Sequence, residues 1–400
     1  MKRNFFLYVL LAFSSFAAAQ DMQHDVIIRN IEVPVQVYDG NEFVTDLKLN
    51  DFELYENGIS QKIIALYLVK QDKILKMDAE TDLMPYTPRK YFFIFQMTEY
   101  NSKITEALDF FFSDIYRPED SVEIITSVKE YFLSSDALKS NTKDKVVEFI
   151  GNVVRKDAKI GSTEYNSLLQ NLKKIAAYLT PGGGSWSGFD SMNYGLGISP
   201  LLERYHDSLL QLDNMRKVDE KEFIRYARTL KKLDGQKYVF FFYEREYMPE
   251  LRGQAYSNLM SLYQDQPNIV AMLQEIFQFY HRPINMNLDH MISSFADSNI
   301  LFNLICMDKR TKSAPGLDMQ DQSEDIIKIL SNVASATGGR MSDTTNPLEA
   351  FKSASTAVNT RYLLYYSPMN YQADGSFKKI QVLIKNQHYK IFYRKGYIAD

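Results

Sequence analysis

Tyr91-Phe92-Phe93-Ile94-Phe95, followed at once by Gln96-Met97-Thr98-Glu99-Tyr100, sets the frame for the whole chain. A short apolar and mostly aromatic run stops at polar residues, and a helical pattern begins beyond them. Apolar side chains at successive positions need cover on both faces, so the run reads as a strand buried on both sides. In open α/β sheets, ligands sit in the crevice beyond the carboxyl ends of such strands. The loop Gln96 to Tyr100 is therefore the first place to look for a site.

Outward from that strand, candidate strands at 90–96, 121–128, 237–243 and 299–306 alternate with candidate helices at 102–115, 141–155, 164–179 and 323–336. The rhythm predicts an α/β domain with a mostly parallel sheet covered on both faces. Two stretches interrupt it. Residues 180–235 open with Pro181-Gly182-Gly183-Gly184-Ser185-Trp186-Ser187-Gly188 and run into a charged helical segment. The glycines lack the Gly-Lys-Ser/Thr of a phosphate loop and read as a surface loop. Residues 247–296 read as helical and carry Tyr256, Tyr263, Phe277, Phe279 and Tyr280. Most of the 27 tyrosines and 26 phenylalanines belong in a core, but these insertion aromatics offer anchors for a contact surface.

Both ends of the chain read as strands. Ile31, Val33, Val35 and Val37 alternate with Glu32, Pro34, Gln36 and Tyr38, and Pro34, which cannot donate to a ladder, predicts an edge or a bulge. Phe52 to Glu56 and Gln61 to Tyr67 flank Asn57-Gly58, a type I′ hairpin signal because both turn residues need positive φ. Residues 70–88 read as a linker closing with Pro85 and Pro88. At the other end, Arg361 to Ser367, Phe377 to Lys385 and Tyr389 to Tyr393 are β-rich, separated by turn signals at Asp374-Gly375 and Asn386-Gln387. Neither set has helices to cover it, so the two are expected to cover each other in a β-sandwich-like domain. The resulting frame is 21–84 for the first strands, 85–358 for the α/β domain and 359–400 for the closing strands.

Residues 1–20 read as a signal peptide, with Lys2-Arg3, an apolar run from Phe5 to Phe16, and Ala17-Ala18-Ala19 at the cleavage site. The run falls short of the roughly 20 apolar residues a membrane span takes, and no other stretch is long and apolar enough. The expected protein is exported, periplasmic or extracellular, with no membrane span in the mature chain. Net charge is −4, and without the first 20 residues 44 basic residues face 50 acidic ones, a net −6. That balance, with no basic block, argues against nucleic acid as partner. The lone Cys306 lies in the apolar run Ile300 to Met307 and reads as a small buried hydrophobe, so stability rests on the core rather than on disulfides.

Taken together, these blocks resemble the VWFA-related domain proteins, an exported bacterial family found especially in acidobacteria. Val33-Pro34-Val35-Gln36-Val37 and Asp51-Phe52-Glu53-Leu54-Tyr55-Glu56-Asn57-Gly58 look like its opening, and Thr337-Gly338-Gly339-Arg340 like the turn before the last strand of its A domain. Arg361 to Pro368, Asp374 to Ile380 and Arg394-Lys395-Gly396-Tyr397 look like its closing strands. The resemblance implies a Rossmann-like von Willebrand factor A domain flanked by β-structure from both termini, no enzymatic activity, and recognition of an unidentified protein or envelope partner.

Von Willebrand factor A domains carry a metal-ion-dependent adhesion site built on Asp-x-Ser-x-Ser, and here those positions read Gln96, Thr98 and Tyr100. The second loop keeps Thr163, placed just before a helix from Glu164. At the third, Glu244 and Arg245 stand where the family shows Ser/Thr-Asp-Gly. Exchanging a carboxylate for an amide about 4 Å from a divalent cation forfeits several kcal/mol at an effective dielectric near 20. A degenerate site without metal is the expectation. The alternative is a rebuilt Mg²⁺ or Mn²⁺ site using Thr98, Glu99, Thr163 and Glu244. The remaining alternative, a hydrolase with an unrecognised site, finds little footing: the five histidines lack zinc spacing, no Gly-x-Ser-x-Gly elbow occurs, and Glu119-Asp120 and Glu324-Asp325 read as solvated helix ends.

Overall fold

The computed structural model describes residues 29–71, 73–79, 84–86, 88–179, 197–216, 219–280, 286–308, 317–385 and 388–400. Residues 1–20, read above as a signal peptide, and the glycine run of 182–188 lie outside these residues. In chain order the first strands are β1 (Ile31–Asp39), β2 (Glu42–Phe43), β3 (Phe52–Glu56), β4 (Ile59–Gln61), β5 (Ile63–Lys70) and β6 (Lys73–Ala79). Then come β7 (Arg89–Gln96), β8 (Ser121–Thr126), β9 (Glu130–Leu133), β10 (Gln236–Glu244), β11 (Tyr247–Leu251) and β12 (Ile300–Met307). The last are β13 (Leu317–Asp321), β14 (Met341–Thr344), β15 (Thr360–Tyr366), β16 (Phe377–Ile384), β17 (Lys390–Tyr393) and β18 (Gly396–Ile398).

The fold is mixed α/β with several sheets. The central one has the order β14-β12-β10-β7-β8-β9, parallel throughout except for β9. The opening stretch is β7, and β10 beside it is buried at every residue. Their register stacks Tyr91 on Tyr238, Phe93 on Phe240 and Phe95 on Phe242, with ring centroids 5.3, 5.5 and 4.9 Å apart. Aromatic pairs in such contact contribute about 0.5–1.5 kcal/mol each beyond their burial. Helices Lys103–Phe110, the first half of Lys143–Leu179 and Pro347–Asn359 cover this face through Ile104, Leu108, Ile150, Val154 and Phe351. The other face lies under Glu220–Lys231, Leu288–Asp297 and Glu324–Thr337, through Ile224, Phe295 and Leu330.

The turn Thr337-Gly338-Gly339 shows why its residues are what they are. Gly338 sits at φ +81°, the left-handed position that closes the helix before it. Gly339 lies so close to β12 that a Cβ would stand 1.9 Å from the Phe302 carbonyl oxygen. Between them and the strand, Thr337 Oγ1 accepts from Phe302 N at 3.1 Å.

The terminal strands form two antiparallel sheets, β17-β1-β15-β5-β6 and β18-β16-β3-β4. Val33, Val35, Leu66, Tyr362 and Leu364 from the first and Phe52, Leu54, Ile380 and Val382 from the second share one core. Asn57 (φ 49°) and Gly58 (φ 82°) make the β3–β4 hairpin. The strand read as continuous from Gln61 to Tyr67 breaks at Lys62, where the chain passes from one sheet to the other. Pro34 lies opposite Leu363 of β15, while β17 pairs with β1 only from Val35 to Tyr38, so β1 is a local edge at the proline.

Several expectations need correction. Residues 73–79, assigned to a linker, form the edge strand β6, held to β5 by its backbone while its side chains stay largely exposed. The helices expected at 141–155 and 164–179 are one helix, Lys143–Leu179. Residues 247–251 are not helical but pair with β13. Of the two interrupting stretches, helices Glu220–Lys231 and Leu288–Asp297 belong to the cover of the central sheet. What stands apart is a helical lobe from the end of Lys143–Leu179, Ser199–Arg216, Gly253–Leu262 and Pro267–Phe279, with its own core around Leu172, Tyr205, Leu209 and Leu273. Tyr256, Tyr263, Phe279 and Tyr280 pack into or against that core, leaving Phe277 as the exposed ring of the set. Asp120 is no solvated helix end: it is buried before β8 and takes two hydrogen bonds from Arg89, Nε to Oδ1 at 2.9 Å and Nη2 to Oδ2 at 2.7 Å.

Candidate functional site

The carboxyl ends of β7 and β10 lie side by side, with Tyr243 opposite Gln96. Glu244, one residue on, reaches across to the loop after β7. Its Oε2 accepts from Thr98 N at 2.7 Å, from Thr98 Oγ1 at 2.6 Å and from Glu99 N at 3.3 Å. The carboxylate is buried, while the Glu99 side chain is exposed at the loop tip and Gln96 is half-buried below it. A single carboxylate oxygen therefore takes up the donors that the loop presents.

Arg245 turns the other way. Its backbone N donates to Met307 O at 2.8 Å, so the residue follows β12. Its guanidinium pairs with Asp343 through Nη2, with Asp321 through Nη1 at 2.5 Å, and approaches Asp308 at 3.8 Å. The hydrogen bond to Asp343 is the largest influence raising its pKa above the ordinary arginine value, with burial opposing and Asp321 adding to the rise. The arginine ties the ends of β10, β12, β13 and β14 together.

Tyr100 closes the loop on the far side. Its hydroxyl lies 2.5 Å from Thr105 Oγ1, and the Arg155 guanidinium stands 4.6 Å from its ring centroid. Gly151 gives the phenol room, since a Cβ there would approach the hydroxyl to 3.1 Å. Thr163 is in a different setting from the one expected. It lies within the long helix, exposed, with its hydroxyl donating to Lys159 O at 2.9 Å. The expected loop is absent: the helix continues through Gly161, which passes close to Ser127, whose Oγ is 3.1 Å from where a Cβ would be.

One site residue escaped the sequence reading. Asp157 is buried on the same helix and accepts from Thr126 Oγ1 at 2.7 Å and from Tyr131 OH at 2.8 Å. Burial and then the Asp157 carboxylate push the Tyr131 phenol up to about 12. The signal was available: Asp157 falls on the apolar face marked by Val147, Ile150, Val154 and Ala158, where a carboxylate needs partners.

The rebuilt set Thr98, Glu99, Thr163 and Glu244 is divided by this geometry. Thr98 and Glu244 bind each other, Glu99 points to solvent, and Thr163 is turned to its own helix. Among the described residues, no group of three or more His, Cys, Asp or Glu side chains is placed to hold a metal ion. Mg²⁺ asks for near-octahedral oxygen ligands at about 2.0–2.1 Å. A carboxylate oxygen already accepting three protein hydrogen bonds has little left to offer it, so the residues here do not fit a divalent cation.

No protein-family model matches the chain, and no curated protein matches it. Among solved structures, the human COPII-coat protein Sec24c is similar over 79% of this chain and 44% of its own, at 9% identity and a TM-score of 0.33. The chain thus spans less than half of that protein, and a likeness of this degree fixes neither family nor activity. No helix among the described residues is long and apolar enough to cross a membrane.

Proposed function

We propose that the chain is an exported, non-enzymatic binding module whose von Willebrand factor A-like α/β domain engages a protein or cell-envelope partner without a metal ion. The observation that supports this reading is the acceptance by one Glu244 oxygen of Thr98 N, Thr98 Oγ1 and Glu99 N, which commits to protein donors a carboxylate that a metal-binding version of the site would need as a ligand. The apolar start of residues 1–20 supports export, and the ordered loop Thr98 to Tyr100 at the carboxyl edge supplies a surface that needs no ion to hold its shape.

Two measurements test it. Millimolar Mg²⁺ or Mn²⁺ leaves the melting temperature of the mature protein unchanged, because an ion without a native-state site contributes no stabilisation by mass action. Crosslinking in the producing cell captures the same partner with and without chelator, and Glu99→Lys at the exposed loop tip reduces capture at least tenfold with no loss of melting temperature. A rise of more than about 2 °C with metal, or capture abolished by chelator, would replace this reading with the metal-dependent one.

A further inference from the structure

Where the antiparallel sheet of β15 meets the parallel sheet, several buried donors make no hydrogen bond among the described residues. Arg361 is on β15, on the face opposite Tyr362 and Leu364, and only 3% of it is exposed. Its Nη1 donates to Val358 O at 3.2 Å, while Nε and Nη2 have no partner among the described residues. Its guanidinium carbon is 5.3 Å from the ring centroid of Tyr238, which in turn stacks on Tyr91. Both phenol oxygens are buried and have no hydrogen bond among the described residues.

Charge decides what belongs there. Arg89, 5.5 Å from the Tyr91 ring on the other side, is balanced by Asp120. Glu32 exerts an attraction on Arg361 but bonds elsewhere: Oε2 accepts from Tyr365 OH, and Oε1 from Gln236 Nε2 at 3.1 Å and Asn299 Nδ2 at 3.3 Å. Burial lowers the Arg361 guanidinium to about 10, so it remains a cation at neutral pH. A buried cation without a hydrogen-bonded counterion is costly, and water can accept its protons without cancelling its charge.

The geometry points to a buried site for a small monovalent anion of chloride size, held by Arg361 Nε and Nη2 and by the hydroxyls of Tyr91 and Tyr238. The burial of all three side chains leaves no access for a partner's side chain, and the role is structural: the anion joins the two sheets. It stands independently of the binding reading above.

Crystals grown in sodium bromide, measured at the bromine absorption edge, test the position directly. An anomalous peak in hydrogen-bonding reach of Arg361 and both phenols is expected. In solution, replacing chloride by gluconate at equal ionic strength lowers the melting temperature by about 2–4 °C. Tyr91→Phe and Tyr238→Phe, which remove one oxygen each, raise at least threefold the chloride concentration that half-restores it. Arg361→Met abolishes the dependence, and the tyrosine variants carry the test if that protein does not fold. Water alone at the position overturns the proposal. So does bromide whose presence leaves wild-type stability unmoved, an adventitious ion only.

Discussion

Replacing Glu244 probes the site most sharply. Of the three hydrogen bonds that its Oε2 accepts from the Thr98 loop, two, at 2.7 and 2.6 Å, are short and charge-assisted; the third, at 3.3 Å, is longer. Bonds to a charged acceptor contribute about 1.5–3 kcal/mol each, and a buried donor left without one costs about 1–3 kcal/mol. All three converge on one oxygen and do not add. Glu244→Ala, which orphans them together, is expected to lose about 3–5 kcal/mol. Glu244→Gln keeps an acceptor of the same reach without its charge and should lose about 1–2 kcal/mol. Urea denaturation measures both, once in chelator and once in millimolar Mg²⁺. If protein donors alone hold the carboxylate, the losses are the same in both solutions. A Glu244→Gln protein within about 0.5 kcal/mol of wild type, or a loss that occurs only with Mg²⁺ present, would refute the argument.

Gly339→Ala should cost about 3 kcal/mol or more, because its Cβ would collide with the Phe302 carbonyl of a packed strand; Gly253→Ala, with open space at a helix start, should be neutral or stabilising by about 0.5–1 kcal/mol. Chemical denaturation of the pair separates close approach from glycine content. Lys237 is lowered to about 8, chiefly by burial, while its Nζ donates to Leu230 O and Leu233 O at 2.9 Å each. A folded-state pKa below the unfolded value means that the unfolded chain holds more protons between pH 8 and about 10.4, so stability gains with pH across that window, by less than about 1.4 kcal/mol per unit. Lys237→Met should flatten that slope in melts taken from pH 7 to 10. The Cys306 thiol is buried and raised to about 12, chiefly by burial, so a thiol reagent at pH 8 should label it only at the rate of unfolding, and prompt labelling of the folded protein would contradict the packing of β12.

The α/β frame was legible because β7 and β10 carry continuous apolar runs whose ends are marked by polar residues, and β12 is broken only by Asn303. Asn57-Gly58 announced its hairpin because positive φ at both positions admits few other pairs. The helix across Gly161 was not legible. Glycine inside a helix costs about 1 kcal/mol relative to alanine, a cost that reads locally as a break. Buried contacts on both sides of it, from Val154 and Ala158 through Tyr165 to Leu172, hold the helix through that point. Strand β6 escaped for the opposite reason: its side chains remain largely exposed, and what holds it is a ladder to β5 that composition does not record.

The site itself depends on a quantity that sequence does not state, the register between two parallel strands. Glu244 meets Thr98 because Tyr243 lies opposite Gln96, and that pairing continues a ladder in which Tyr238, Phe240 and Phe242 each face a ring on β7. Sliding β10 by one residue would turn those rings to the other face and bring Tyr243, Phe241 and Val239 into their place. The aromatic stacks therefore hold the carboxylate in position as well as filling the core. A substitution deep in the ladder, such as Phe240→Ala, should loosen the Thr98 loop at a distance, through the alignment of two strands rather than through any contact with Glu244. Faster amide exchange at Thr98 and Glu99 in that variant would follow from this coupling. Exchange at those two amides that stays at the wild-type rate while the ladder softens would show that the loop holds Glu244 by itself.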